Sequence, residues 1–254
     1  MRAVPAGDHD YERQPEYGRR RGTDPRIEAP VHEALGDAKT VVNVGAGAGS
    51  YEPADRYVIA IEPSRSMRSQ RPPDKAPAID AVAEQLPLDD DSVDAAMAMI
   101  TIHQWTDVDA GLRELRRVAR DRVVVLLFDG DLAERFWLAE YAPELIAAER
   151  RRDPKVDRVC GLLGGAVVHD VPIPIDCVDG FTEAFYARPE AFLDPAVRSA
   201  QSAWSFISEA ETEASVRRLA DDLASGEWDR RFGKLRTQPE FVGSLRLIVA
   251  RSQV

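Results

Sequence analysis

Three elements in the first half of the chain combine residue types and spacings suited to holding a nucleoside. Val41-Val42-Asn43-Val44 runs into Gly45-Ala46-Gly47-Ala48-Gly49. Glycine turns at positive φ and lets a ligand approach where a Cβ would block it. At the carboxyl end of a first parallel strand, such a turn lies at the ligand crevice of an open α/β sheet. Glu62 ends the next apolar run, thirteen residues after Gly49. A carboxylate there can accept two hydrogen bonds from the vicinal hydroxyls of a ribose. Pro63 and Met67 follow, with Met67 suited to pack on the face of a base. The third element is Ala81–Pro87, where Ala83 leaves room for a base read by main-chain groups. Ser50 stands where a dinucleotide fingerprint needs a glycine, which argues against NAD and against a pyrophosphate on the helix N-terminus. A P-loop is excluded, because no Lys-Ser or Lys-Thr follows the glycines.

Candidates for proton transfer are few. His103, at the end of an apolar run and beside Trp105, is the best-placed base for a hydroxyl acceptor. His169, before a Pro-marked edge strand, is an alternative, whereas His32 and His9 are weaker. Asp129, just after the apolar run Val123–Phe128, is placed to orient a polar substrate group. Phe136, Trp137 and Trp204, with Tyr141, Phe181, Phe185 and Tyr186, supply rings suited to an apolar or aromatic substrate.

These residues need a frame to position them. Asp24–Leu35 reads as a capped helix, with Asp24 as N-cap, Pro25 in the first turn and Gly36 as its stop. Thr40–Val44, Tyr57–Ile61 and Ser92–Ile100 read as strands and Val108–Ala119 as an amphipathic helix. Val123–Phe128 is so uniformly apolar that it belongs in a parallel sheet buried on both faces. Strands alternating with helices predict a Rossmann-like, doubly wound α/β fold with a mostly parallel seven-stranded sheet and an inserted helical substrate cap. Leu132–Glu149 reads as helical, Ala166–Val178 as an edge strand with Pro172 and Pro174, Pro189–Leu223 as largely helical and Ser244–Ala250 as a last strand. The expected organisation is a mobile leader over 1–24, a binding core over 25–130, a substrate cap and sixth strand over 131–240, and a returning strand over 241–254.

The 254 residues carry a net charge of −11, which disfavours nucleic acid as a partner. The arginine runs Arg19–Arg21, Arg116–Arg117 and Arg150–Arg152 read as solvated helix surface. No apolar run is long enough to cross a bilayer, and the polar N-terminus is not a secretory signal. Cys160 and Cys177 make no metal motif, so no metal is expected. The reading is a cytoplasmic monomer or homodimer acting on a small molecule.

With VVNVGAGAG, VIAIEPSRSM, AVAEQLPLDDDSVD, IHQW and LRELRRVARD in series, the chain resembles class I S-adenosylmethionine-dependent methyltransferases of the small-molecule, type 11-like kind. The resemblance covers residues 11–130. It implies S-adenosylmethionine as cofactor, S-adenosylhomocysteine as product, and methyl transfer to an O, N or C acceptor, as in natural-product tailoring. The second implied activity is a non-methylating reaction, such as a cyclisation, on the same fold. Gly45, Ala46 and Gly47 would line the methionine and ribose, Glu62 would hold the ribose, and Ala83 and Glu84 would border adenine. Met99 would lie near the methyl. Tyr17 and Arg21 resemble a Tyr/Arg pair folded over the methionine carboxylate. Three departures stand out: Asn43 replaces the usual Asp, Val82 an acidic residue, and the short Pro53-containing stretch after Gly49 must truncate the first helix.

Overall fold

A computed structural model describes residues 21–252. Helix α1 (Pro25–Ala34) is capped by Asp24, whose carboxylate accepts from the Arg26 amide at 3.0 Å. Its Ile27 and Val31 are fully buried. Strands β1 (Thr40–Val44) and β2 (Tyr57–Ile61) pair in parallel with residues 40–44 facing 57–61. Helix α2 (Arg65–Ser69) and strand β3 (Ala78–Ile79) follow. Next come β4 (Val93–Met99), α3 (Val108–Val118) and β5 (Ala119–Phe128).

The chain then leaves the sheet through α4 (Leu138–Tyr141), α5 (Pro143–Arg152) and α6 (Val156–Leu162). It touches the sheet again at β6 (Val167–Asp170) and makes β7 (Ile173–Pro174). A second helical passage holds α7 (Pro195–Ser199), α8 (Glu209–Ser225) and α9 (Glu227–Phe232). Strand β8 (Glu240–Phe241) pairs with β7, and β9 (Leu245–Arg251) closes the chain.

The main sheet has seven strands in the order β3-β2-β1-β4-β5-β9-β6. The β1–β5 strands are parallel; β9 runs antiparallel between β5 and β6. This is the doubly wound fold that the alternating pattern predicts. Along β5, Val124 and Leu126 join one core cluster, with α1, and Val123, Val125 and Leu127 the other, with α3. The strict alternation of two buried faces is why that stretch carries no polar residue. Strand order reverses between β1 and β4, so the crevice of an open sheet opens where those two strands end.

Two segments depart from the sequence pattern. The helix expected over Leu132–Glu149 breaks into a single 3-10 turn, α4 and α5, because Pro143 lacks an N–H and must start a helix. The edge strand expected over Ala166–Val178 splits at Val171-Pro172 into β6, in the main sheet, and β7, in a two-stranded one. Among the described residues, no helix is long and apolar enough to cross a membrane.

Candidate active site

The glycine turn is stitched to the neighbouring strand: the amides of Gly45 and Ala46 both donate to the Ile61 carbonyl at 2.9 Å. Gly45 has φ +71 and Gly47 φ +50. A Cβ on Gly45 would stand 2.2 Å from Thr101 Oγ1, so this position admits only glycine. One oxygen of Glu62 accepts from the Gly47 amide at 2.8 Å and the other from the Ser64 amide at 2.8 Å. Two main-chain donors therefore hold the carboxylate in one orientation before any ligand arrives.

Together these residues line an open crevice of about 1080 Å³, its mouth included. Gly45, Ala46, Gly47, Glu62, Pro63 and Met67 line it, together with Val82, Ala83, Glu84, Met99, Trp105 and Arg21. Trp105 is set there by α3, where the ring covers Gly111 so closely that a Cβ would stand 2.3 Å from it. Tyr17 lies outside the described residues.

Beneath the turn is a buried polar cluster that sequence reasoning missed. Asn43 Nδ2 donates to Glu52 Oε1 at 3.0 Å, and Arg71 Nη2 contacts both Glu52 oxygens at 3.0 and 2.9 Å. Arg71 Nη1 also donates to the Gly47 carbonyl at 3.1 Å, and Lys75 Nζ donates to the Glu52 carbonyl at 3.0 Å. Thus a carboxylate does stand behind the glycines, on Glu52 rather than at position 43. No helix forms between β1 and β2; the stretch with Pro53 is a chain of turns, with Tyr51 at φ +62. Asn43 Oδ1 is buried without a partner and Asn43 lines the crevice. An orphan acceptor of this kind fits the ammonium of an amino-acid ligand.

The leader is tied down from Arg21 onward. Arg21 Nε meets Asp179 Oδ1 at 2.6 Å, and the Tyr51 hydroxyl donates to Asp179 Oδ2 at 2.8 Å. Asp179 is buried and lines the crevice. Asp24 is also buried, so residues 21–24 belong to the packed body rather than to a mobile leader.

A second chamber of about 710 Å³ adjoins the crevice and shares Arg21, Ile100 and Gln104 with it. Ile100, at the end of β4, has φ +51. That is a costly conformation for a β-branched residue, and its amide is held by the Leu126 carbonyl at 2.7 Å. Phe128, Phe136 and Phe181 form the apolar walls, with His103, Glu149, Arg152, Asp153 and Glu183 among them. Glu149, Arg152 and Asp153 share one face of α5 at i, i+3 and i+4 spacing. Arg152 lines the chamber, and its guanidinium lies 4.0 Å from the half-exposed Phe206 ring; it is not the solvated surface its arginine run suggests.

Burial sets the protonation of these groups. It pushes the His103 imidazole down to about 3, helped by the Arg152 and Arg21 charges. Burial pushes Glu149 and Glu183 up to about 7, and Asp153 well above the usual carboxylate range. His103 Nδ1 lies 3.7 Å from Asp153 Oδ1, a neutral pair rather than an ion pair. His103 reaches the second chamber, where burial and the nearby Arg152 and Arg21 charges lower its basicity.

The remaining substrate candidates divide. Phe136 lines the chamber and Trp105 the crevice. Trp137 reaches neither, since its ring is packed among Tyr141, Phe192 and Trp228 and its Nε1 donates to the Tyr186 carbonyl at 3.0 Å. Trp204 stands behind the chamber wall, donating to Gln201 Oε1 at 3.2 Å. The Asp129 carboxylate turns back to accept from the Asp131 amide at 3.1 Å. His169 is exposed on β6, the outer edge of the sheet.

This seven-stranded order, with a glycine turn after β1 at the reversal and a main-chain-fixed acid after β2, is the arrangement of the class I methyltransferase fold. The model of the methyltransferase domain family matches residues 42–127. The crystal structure of a candidate methyltransferase from an antibiotic biosynthesis pathway of Anabaena variabilis is 30% identical, with a TM-score of 0.84. The match covers 92% of this chain and 99% of that one. The chain belongs to the class I S-adenosylmethionine-dependent methyltransferases.

More distant structures share the fold. The [4+2]-cyclase SpnF is 16% identical with a TM-score of 0.53, over 90% of this chain and 80% of that one. Geranyl diphosphate C-methyltransferase from Streptomyces coelicolor, determined with S-adenosylhomocysteine, is 13% identical with a TM-score of 0.50, over 88% and 74%. A comparison with curated proteins returns no match.

Proposed function

We propose that this protein transfers a methyl group from S-adenosylmethionine to a small-molecule acceptor in the second chamber. The observation that carries this reading is the Glu62 carboxylate, fixed by two amides beside a glycine turn that tolerates no Cβ. The cofactor, when bound, supplies an electrophilic methyl on a sulfonium; the rest is the work of the chain.

Glu62 would accept the two ribose hydroxyls. Gly45, Ala46 and Gly47 would line the ribose and methionine part, and Asn43 Oδ1 would accept from its ammonium. Ala83 and Glu84 would border the adenine and Met67 would pack on its face. Ile100 and Gln104, common to both cavities, form the boundary at which acceptor and cofactor would meet. Holding two reactants at such a boundary supplies most of what a displacement at carbon needs, and the phenylalanine walls keep water out. Tailoring of a natural product is the process suggested by the 30%-identical relative from an antibiotic pathway.

Calorimetric titration with S-adenosylmethionine, followed by a search for S-adenosylhomocysteine across an acceptor panel, tests the proposal. Failure to bind, with no methylated product, refutes it.

A further inference from the structure

Resting on that reading of the second chamber as the acceptor site, we propose that the acceptor is a primary or secondary amine with an apolar body and a hydrogen-bond-accepting oxygen. Glu149 and Asp153 would receive the ammonium and Gln201 the oxygen. The claim stands on the charge, the walls and one unsatisfied donor of the chamber.

Charge comes first. Three carboxyls, Glu149, Asp153 and Glu183, line the chamber against Arg152; the other cation, Arg21, is paired with Asp179. His103, the remaining titratable group in the wall, faces Asp153. Asp129 is near enough to repel the Asp153 charge. A cavity with this lining either holds protons on its carboxyls or accepts a cation. Glu183 is already engaged, its two oxygens accepting from the Ser244 amide at 3.1 and 2.8 Å. Glu149, in the last turn of α5, and Asp153, its C-cap, meet the Thr182 hydroxyl at 2.9 Å and His103 at 3.7 Å and are the pair presented to a ligand. Among the described residues, no three His, Cys, Asp or Glu side chains are arranged to hold a metal ion, so the cation that fits is organic. Phe128, Phe136 and Phe181 suit an apolar body attached to it.

The second, independent observation is Gln201. It is 4% exposed and lines the chamber, and its Nε2 is buried without a hydrogen-bond partner. Its orientation is fixed chemically: Trp204 Nε1 can only donate, so the Gln201 oxygen must face it, at 3.2 Å. The amide nitrogen is therefore left with a proton to give, and a buried unmet donor is costly until a ligand oxygen satisfies it.

The Thr182 hydroxyl gives the chamber a place to hold a proton. Its oxygen lies 2.9 Å from Glu149 Oε1 and 3.2 Å from Gln201 Oε1. One hydroxyl proton lies between two acceptors; a protonated Glu149 donating to Thr182 frees that proton for Gln201. Burial, which holds Glu149 near pH 7, keeps this arrangement close in energy to the ionised one. An ammonium beside a carboxylate then exchanges a single proton: one N–H breaks, one O–H forms, and the electron pair stays on nitrogen. That neutral amine is the nucleophile a methyl acceptor must be.

Calorimetry with para-methoxyphenethylamine against para-methoxyphenethyl alcohol, which differ only in the amino group, tests the proposal at pH 7 on the whole protein. The amine should bind at least tenfold more tightly, and Glu149→Gln and Asp153→Asn should each cut that preference to about threefold or less while circular dichroism stays unchanged. Equal binding of amine and alcohol, or no amine binding at millimolar concentration, would overturn it. Methylation of phenols or carbon acids without amine binding would strike this inference and leave methyl transfer standing. Amine binding without any methylated product would support the chamber's preference and strike the proposed activity instead.

Discussion

Asn43 donates to Glu52 at 3.0 Å, and that one hydrogen bond moves the carboxylate usual behind the glycine turn from the strand to the loop. Glu52 and Arg71, 1% and 4% exposed in their side chains, then tie the loop to the Ala46 and Gly47 carbonyls. Asn43→Asp would bring a second carboxylate against Glu52. Like charges about 4 Å apart cost about 4 kcal/mol at an effective dielectric near 20, partly offset here by Arg71. The variant should therefore be less stable than the parent by about 1–4 kcal/mol at pH 8. Urea unfolding at pH 8 checks this; an Asp variant as stable as the parent contradicts it.

Glu62→Ala removes the acceptor for the ribose and the anchor of two amides. Cofactor affinity should fall by roughly 1.5–3 kcal/mol, the range for a hydrogen bond to a charged group. Isothermal titration with S-adenosylhomocysteine reads this directly, and an unchanged dissociation constant would place the ribose elsewhere.

How far these contacts were legible in the sequence follows from how local they are. The glycine turn and Glu62 stand at the ends of adjacent strands, so spacing along the chain reports their spacing in the fold. The pairing of Arg21 with Asp179 spans the chain and has no local signature. Glu149, Arg152 and Asp153 sit in AAERRRDPK, which reads as solvent-facing helix. In the fold that face lines the second chamber with residues far along the chain, a contact that has no local signature. Trp137 and Trp204 were legible as cap aromatics, but which rings face a cavity and which pack in the core was not, since a ring's partners come from helices far along the chain.

The depressed His103 imidazole gives a kinetic expectation. Held at about 3 by burial, it stays neutral throughout the range in which an enzyme of this kind is assayed. His103→Ala should lower turnover by less than about tenfold and leave no change in the pH–rate profile between pH 5 and 8. A general base would instead cost roughly 10²–10⁴-fold, and that outcome would restore the catalytic role.

Glu149 gives a stability expectation of definite sign. Its folded value, about 7, lies above the ordinary 4.5. Its contribution is therefore fully present below pH 4.5 and lost as pH rises through 7. Glu149→Gln removes that loss, so the variant should gain on the parent between pH 5 and pH 8 by on the order of 1–3 kcal/mol. Denaturant melts of both proteins at the two pH values measure the difference. A gain in the opposite direction would mean the carboxyl is ionised and satisfied in the fold.

The most direct test of the central claim is mass spectrometry of reactions containing methyl-labelled S-adenosylmethionine and a panel of amine, phenol and carbon-acid acceptors. The account predicts a product carrying the labelled methyl, formed one for one with S-adenosylhomocysteine, and lost in Glu62→Ala at low cofactor concentration. An acceptor converted without S-adenosylhomocysteine, or a cofactor left untouched beside every acceptor, would contradict it.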